Sequence, residues 1–234
     1  MIDLDILVIL DRSGSMQDAK NDHEGGLRSF IEDQKRLGGD VRLTLVQFDT
    51  TNPCEIVYDR VPLADVGPIE LVPRGGTPLL DAMGLAIAHL TKRQSAEPAS
   101  HTITMIVTDG EENASKEWDL ARVKKLVTEL EGKGGQVLYL GANVDAFAEA
   151  GLVGIAHGHA LNYNIAASSV QAAYAVTSNK VSHARGMMRG GASGQSISAS
   201  MAFTADEQEQ VTSGTATFAD QVKASVTSTS DDAA

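Results

Sequence analysis

Three short polar motifs contain the side chains of this sequence that could most readily bind a metal ion. The first, residues 11–15, reads Asp-Arg-Ser-Gly-Ser, so that an acid and two hydroxyls recur at every second residue. The second ends at Thr77 after two glycines, and the third is Asp109 followed by a glycine. Two carboxylates and three hydroxyls form an all-oxygen ligand set, which suits a hard octahedral cation such as Mg²⁺.

The charges of these side chains predict a binding function. Asp11 and Asp109 supply two negative charges, which balance a divalent ion while hydroxyls and water fill the other positions. If one carboxylate lies behind a water instead of on the metal, the ion keeps net positive character. It can then accept the Asp or Glu carboxylate of a partner protein, which links metal occupancy to partner binding.

Two apolar segments are expected to place the first and third motifs at one edge of a sheet. Residues 6–10 form an apolar, branched run that ends at Asp11, and residues 101–108 form a similar run that ends at Asp109. Such runs are typical of strands that are buried on both faces of a parallel sheet. In open α/β sheets, ligands bind beyond the carboxyl ends of the strands, which is where these motifs lie.

The rest of the chain alternates between helical and extended patterns. Helical spacing predicts helices over 16–37, 77–91, 120–130, 145–150 and 170–181, the first of them weakened by Gly25 and Gly26. Extended patterns cover 41–48, 53–58, 137–140 and 159–163, and the first two suggest a hairpin at the sheet edge. This order predicts an α/β three-layer sandwich, with a mostly parallel central sheet and helices on both faces.

A change in composition divides the chain near residue 181. More than half of residues 182–234 are Ser, Thr, Ala or Gly, and the aromatic residues there are Phe203 and Phe218. Such a segment buries little apolar area to offset the entropy that is lost on ordering. We therefore expect an α/β domain over 1–181 and an extension over 182–234 that is loosely ordered or becomes ordered on a partner.

The net charge and the lengths of the apolar runs exclude some classes of binding partner and bear on the location of the protein. The formal net charge of −12 argues against binding to nucleic acid and to anionic membranes. The longest apolar run, 6–10, is far below the roughly 20 residues that span a bilayer. The start of the chain lacks the basic residues of a secretory signal, and Cys54 is the single cysteine. We expect a cytoplasmic location, with association with a virion as the alternative, and leave the oligomeric state open.

The three motifs, in this order, resemble the von Willebrand factor A (vWA) domain and its metal-ion-dependent adhesion site (MIDAS). The resemblance covers roughly residues 3–180 and is nearer to the intracellular bacterial and phage members than to the extracellular adhesins. It implies a Rossmann-like sheet with one antiparallel edge strand and a protein-binding role without enzymatic activity. It also implies that Mg²⁺, with Mn²⁺ or Ca²⁺ as alternatives, is ligated by Asp11, Ser13, Ser15, Thr77 and Asp109.

Two features depart from the family pattern. The extension after Val181 matches nothing in it, so the role of the extension does not follow from the resemblance. Arg12 places a cation within the first motif, and Glu111 and Glu112 follow Asp109. These charges are expected to alter the field that a ligand meets.

Each motif also has a simpler interpretation. Ser13 and Ser15 could cap the first helix, Thr77 could cap the helix that follows it, and Asp109 could be a turn residue. A metal site explains their joint occurrence better, because independent caps have no reason to cluster at one sheet edge. If Thr77 is both a cap and a ligand, it could switch a loop between two positions.

Two functions of other classes stay open. A structural or assembly protein, for instance of a phage, would make its contacts through the C-terminal extension and use the metal only to stabilise a loop. A serine hydrolase would use Ser13 or Ser15 as its nucleophile. The sequence has no G-x-S-x-G elbow, however, and His101 lies at the wrong end of its strand to assist either serine.

Overall fold

A six-stranded sheet forms the centre of the computed structural model, which describes residues 2–216. The strands are β1 Ile2–Asp11, β2 Val41–Phe48, β3 Glu55–Pro62, β4 Ala99–Thr108, β5 Gln136–Ala142 and β6 Ala160–Tyr163. The helices are α1 Lys20–Arg36, α2 Leu79–Ala96, α3 Leu120–Gly132, α4 Ala146–Leu152, α5 Ala167–Arg189, α6 Gly194–Met201 and α7 Ala205–Ser213. A 3₁₀ turn over Gly14–Gln17 precedes α1, so the first predicted helix is split into two pieces.

The strands lie in the order β3-β2-β1-β4-β5-β6, and the predicted α/β fold is confirmed. The β2–β3 pair is antiparallel because its short connection allows only a hairpin, whereas the other pairs are parallel and are joined through helices. Starting from β1, the chain places β2 and β3 on one side of that strand and β4, β5 and β6 on the other side. The order therefore reverses between β1 and β4, which is the point where a sheet of this kind offers a ligand crevice.

The two faces of the sheet carry separate apolar cores. Ile6, Val8 and Leu10 of β1 belong to the core that α1, α5, α6 and α7 cover, while Leu7 and Ile9 belong to the core under α2, α3 and α4. Successive side chains of a strand point to opposite faces, so a continuous apolar run such as 6–10 serves both cores. The three-layer arrangement with helices on both faces is confirmed.

Gly26 allows α1 and α5 to approach each other closely. A Cβ atom on Gly26 would lie 2.3 Å from Cδ2 of Tyr174, whereas nothing lies within 4 Å of the same position on Gly25. The Tyr174 ring therefore occupies the space that a side chain at position 26 would need. The sequence predicts that Gly25 and Gly26 weaken this helix, but Gly26 is required for the packing of α1 against Tyr174 of α5.

Residues 182–216 differ from the expected loosely ordered extension. They complete α5 and form α6 and α7, whose apolar side chains Ile197, Met201 and Val211 are at most 2% exposed. These few side chains recur at helical positions and pack into the core beside α5, so the segment buries more apolar area than its composition suggests. The part of the predicted extension over 217–234 lies outside the described residues.

Helix α7 lies along β6 and runs in the same direction. The Phe203 N–H, just before α7, donates to the Gly158 carbonyl ahead of β6 at 2.7 Å. Gln208 then donates to the Ala160 carbonyl at 2.8 Å, and Asn164, just after β6, donates to the Thr212 carbonyl at 3.1 Å. This contact covers the outer edge of the sheet, which would otherwise expose unpaired backbone groups. None of the helices over 2–216 is long and apolar enough to span a membrane.

Candidate metal centre

The five predicted ligands lie at the carboxyl edge of the sheet, beside the β1–β4 switch point. Asp11 is the last residue of β1, and Ser13 and Ser15 lie at the start of the 3₁₀ turn that follows. Asp109 follows β4, the parallel neighbour of β1, and Thr77 lies two residues before α2. The tertiary structure thus brings together side chains from three separate segments of the chain.

Hydrogen bonds connect four of these residues directly. The Ser13 N–H donates to Asp11 Oδ1 at 2.6 Å, and the Ser13 and Ser15 hydroxyl oxygens are 3.0 Å apart. The Ser15 hydroxyl donates to Asp109 Oδ1 at 2.7 Å. The first and third motifs are therefore in contact across the β1–β4 boundary.

Thr77 joins the cluster on the side of Gly110. The Cβ position of Gly110 lies 3.2 Å from the Thr77 hydroxyl and 3.8 Å from the Ser15 hydroxyl, so both hydroxyls face the same glycine. The Gly14 N–H also donates to the Gly75 carbonyl at 3.0 Å, which ties the first motif to the second. A side chain at position 110 would therefore crowd the Thr77 hydroxyl and contact that of Ser15.

The hydroxyls of Ser13, Ser15 and Thr77 do not cap helices, so the capping interpretation of these three residues is wrong. Ser13 precedes the 3₁₀ turn but makes no side-chain cap bond, and α1 begins after Ala19. Helix α2 begins after Pro78 rather than Thr77. Its first N–H groups are satisfied from another loop instead, since the Leu80 N–H donates to Glu112 at 2.8 Å. The switch hypothesis for Thr77 loses its basis, because that residue caps nothing.

The two carboxylates are buried close to each other. Asp11 is fully buried, and burial is the main reason that its pKa rises to about 6, with a smaller contribution from Asp109. Burial likewise raises the pKa of Asp109, which is 3% exposed. Asp109 Oδ2 is buried and has no hydrogen-bond partner among the described residues. A buried acceptor without a partner is costly, and a cation would compensate it.

The donor set fits a small hard cation. Adjacent oxygens on an octahedron of about 2.1 Å radius lie about 3.0 Å apart, which matches the separation of the Ser13 and Ser15 hydroxyls. Within residues 2–216 no group of three His, Cys, Asp or Glu side chains could hold a metal ion. The fit therefore depends on hydroxyl ligands that supplement two carboxylates.

Three further residues support the cluster, and of these only Glu112 was expected to influence the site, through its charge. The Thr108 hydroxyl donates to Asp11 Oδ2 at 2.7 Å, and Asn113 accepts from the Thr77 N–H at 2.9 Å. Glu112 accepts from Leu80 at the start of α2 and from two N–H groups of its own loop. Thr108 directly precedes the third motif in the sequence, but no sequence signal connects Asn113 with Thr77.

The charge of Arg12 is compensated within the protein. Arg12 is 4% exposed, and its guanidinium pairs with Asp49 at 2.6 Å and with Glu55 at 2.5 Å. Arg74 also pairs with Asp49, at 3.0 Å, and its N–H donates to the Arg12 carbonyl at 2.9 Å. Arg12 thus braces the loop of the first motif against β2 and β3, and its expected effect on a ligand is reduced by its ion pairs.

Solved structures of similar fold include proximal thread matrix protein 1 (PTMP1) of the mussel byssus and the pilus adhesin SpaC of Lactobacillus rhamnosus GG in its open conformation. PTMP1 is 16% identical over 76% of this chain and 47% of its own, with a TM-score of 0.55. SpaC is 14% identical over 77% of this chain and 30% of its own, with a TM-score of 0.57. The SpRpn10 VWA domain gives 9% identity over 70% of this chain and 88% of its own, with a TM-score of 0.45.

These likenesses concern the fold. No family model and no curated protein matches the sequence. The chain spans less than half the length of PTMP1 and of SpaC, so it corresponds to a part of each of those proteins. They agree with the mostly parallel α/β sheet with one antiparallel edge strand that the motifs implied.

Proposed function

We propose that this chain is a protein-binding module whose partner binding depends on Mg²⁺ held by Asp11, Ser13, Ser15, Thr77 and Asp109. Mn²⁺ or Ca²⁺ are the alternative ions. The observation that carries the proposal is the buried Asp109 Oδ2, which has no partner among the described residues and belongs to a carboxylate bonded to the Ser15 hydroxyl. The comparisons support an interaction module only in that the similar solved structures include an adhesin and a matrix protein.

The two carboxylates would have different roles. Asp11 already accepts from the Ser13 N–H and from the Thr108 hydroxyl, one bond on each oxygen, so it organises the loop and acts on the metal mainly through its charge. Asp109 keeps one oxygen unused. Because the other three side chains are neutral hydroxyls, the site offers little negative charge in direct contact with the ion.

A bound Mg²⁺ would supply a positive centre that attracts a carboxylate. Ser15 is exposed and Gly110 is partly exposed, so this side of the cluster is accessible. We therefore propose that the partner is a protein presenting Asp or Glu, and that the net charge of −12 disfavours nucleic acid. A cytoplasmic or virion-associated location and an origin in a bacterium or phage remain part of this proposal.

A hydrolase is less well supported by the contacts of the two serines. The Ser13 hydroxyl is paired with the Ser15 hydroxyl, which donates to Asp109, and neither bonds to a histidine within residues 2–216. The serine nucleophile of a hydrolase is commonly activated by a histidine base, and neither serine has such a partner among the described residues. We propose that the chain is not an enzyme.

The test has two arms. Titration calorimetry should detect Mg²⁺ binding to the wild type and its loss in Ser15→Ala, whose exposed position is compatible with normal folding. Capture of partners from the native host should then fail both with chelator and with Ser15→Ala. Wild-type protein that binds no divalent ion would refute the proposal.

The assembly alternative is tested by deletion of 217–234. Removal of all residues after Val181 is unsuitable, because it would also remove the buried Met201 and Val211. Loss of partner capture with Mg²⁺ binding intact would favour the alternative, in which the tail makes the contacts. Partner capture that survives the deletion but not chelator would favour the metal-dependent module.

A further inference from the structure

A buried row of three side chains lies on the α1 and α5 side of the sheet and ends at β4. His23 Nδ1 is 3.2 Å from the Tyr174 hydroxyl, and His23 Nε2 is 3.5 Å from the Tyr163 hydroxyl. The Tyr163 hydroxyl in turn donates to the Thr108 carbonyl at 3.1 Å. His23 is 0%, Tyr174 1% and Tyr163 6% exposed, so water does not compete for these bonds.

The chemistry of the groups gives this row one direction. A carbonyl oxygen only accepts, so Tyr163 must use its single proton on Thr108. The Tyr163 oxygen can then accept only from a protonated His23 Nε2, and the bare Nδ1 accepts from Tyr174. This arrangement requires a neutral imidazole, and burial lowers the pKa of His23 to about 4, which keeps it neutral at physiological pH.

Thr108 connects the row to the candidate metal centre. Its carbonyl, which accepts from Tyr163, belongs to the peptide group that leads into Asp109, and its hydroxyl donates to Asp11 Oδ2 at 2.7 Å. The orientation of this one residue therefore bears on both carboxylates. Tyr163 is the side chain from outside the three motifs that bonds to the Thr108 carbonyl.

We propose that Tyr163 is a positioning residue for the metal centre, acting through Thr108 on Asp11 and Asp109; this inference rests on the proposed function. Outer residues that orient metal ligands typically change metal affinity by about 10- to 100-fold when they are removed. Tyr163 bonds to Thr108 and not directly to a proposed ligand, so we expect an effect at the lower end of that range. His23 and Tyr174 hold the Tyr163 hydroxyl in place from the far side.

The structure offers a matched pair of variants. Tyr163→Phe and Tyr174→Phe each remove one buried hydroxyl that bonds to His23, but only Tyr163 also bonds to Thr108. Both variants should lose stability in chelator, Tyr163→Phe more than Tyr174→Phe, because the first leaves two buried partners unsatisfied and the second leaves one. In Mg²⁺ calorimetry, Tyr163→Phe should bind about tenfold more weakly than the wild type, while Tyr174→Phe should stay within about twofold.

The outcomes are distinguishable. Equal Mg²⁺ affinities of Tyr163→Phe and the wild type overturn the inference and leave the proposed function standing. A tenfold loss in both variants also overturns it, since the effect is then one of general packing. A wild type that binds no Mg²⁺ refutes the proposed function and removes the inference with it.

A measurement on the unmodified chain covers the case in which Tyr163→Phe does not fold. The chain has four tyrosines, so labelling their Cζ atoms with ¹³C gives few resonances. On titration with Mg²⁺, the Tyr163 resonance should move with the midpoint found by calorimetry and by more than that of Tyr174. A Tyr163 resonance that stays in place through saturation overturns the inference.

Discussion

Thr77 and Asn113 are joined by two hydrogen bonds although they lie 36 positions apart in the chain. The Thr77 N–H donates to Asn113 Oδ1 at 2.9 Å, and the Asn113 N–H donates to the Thr77 carbonyl at 3.1 Å. The pair ties the second motif to the loop that follows Asp109. Asn113 thus fixes the backbone of a proposed ligand without being a ligand itself.

Asn113→Ala is expected to weaken Mg²⁺ binding by about tenfold, because the Thr77 backbone loses one of its two fixed contacts. Isothermal titration calorimetry measures the change. Asn21→Ala, at an exposed position on α1, is the control and should bind Mg²⁺ as the wild type does. An unchanged affinity of Asn113→Ala would mean that the bond pair does not bear on the site.

Asp109→Asn should separate metal binding from stability. The amide oxygen can still accept from the Ser15 hydroxyl, and the variant removes a buried negative charge next to Asp11. We expect thermal unfolding in chelator at a temperature no lower than that of the wild type, with no further rise on adding Mg²⁺. Asp18→Asn, an exposed carboxylate nearby, should keep the Mg²⁺-dependent rise. A variant destabilised in chelator would contradict the electrostatic account of the cluster.

The two adjacent glycines of α1 should respond in opposite directions to alanine. Gly26→Ala places a Cβ against the Tyr174 ring and should lower the free energy of unfolding by about 1–3 kcal/mol. Gly25→Ala meets open space and should raise it by about 0.5–1 kcal/mol, because alanine loses less backbone entropy in a helix. Urea denaturation of both variants measures the difference. Equal effects would mean that Tyr174 does not pack on Gly26.

His23 should make the folded state sensitive to acid. Its pKa falls to about 4 on burial, whereas the unfolded chain binds a proton near the ordinary value of 6.5. Between these values the unfolded state carries more protons, so stability is present above about pH 6.5 and is lost as the pH falls toward 4. The loss that this one group causes is about 3 kcal/mol over that interval.

Unfolding of the wild type and of His23→Gln at a series of pH values tests this dependence. The difference between the two chains removes the titration of other groups, including Asp11. The variant should lose less stability than the wild type between pH 6.5 and 4, while His183→Gln, at an exposed position of α5, should follow the wild type. Parallel curves for the wild type and His23→Gln would rule the mechanism out.

Gln208 should contribute to stability through the edge of the sheet. Its side chain donates to the Ala160 carbonyl at 2.8 Å and accepts from the Asn162 N–H at 3.4 Å, in the way a neighbouring strand would. Gln208→Ala should lower the free energy of unfolding by about 1 kcal/mol and promote association at high concentration. Gln210→Ala, on an exposed position of the same helix, should do neither. Light scattering and denaturant unfolding are the measurements.

Local patterns were sufficient for most of the fold. Helix α3 was predicted close to its observed bounds, and β1 and α1 were predicted in place and type, because burial on two faces or on one helical stripe leaves a direct trace in the residue types. The apolar run 6–10 marks only part of β1, and the helix predicted over 16–37 begins in the 3₁₀ turn before α1. The helices α6 and α7 were missed. Their few large side chains, such as Met201 and Val211, are separated by small residues, and only contact with α5 makes them a core.

The residue types of the candidate site, its position after β1 and β4, and the expectation of an oxygen-ligand centre came from the sequence alone. These features can be predicted from the sequence because strand ends and glycine turns depend on residues that are close together in the chain. The tertiary structure decided which groups meet: it paired Ser15 with Asp109, left one Asp109 oxygen without a partner within 2–216, and set Asn113 and Tyr163 behind Thr77 and Thr108. Those relationships join residues dozens of positions apart, and only the packing of helices on both faces of the sheet brings them within hydrogen-bond distance.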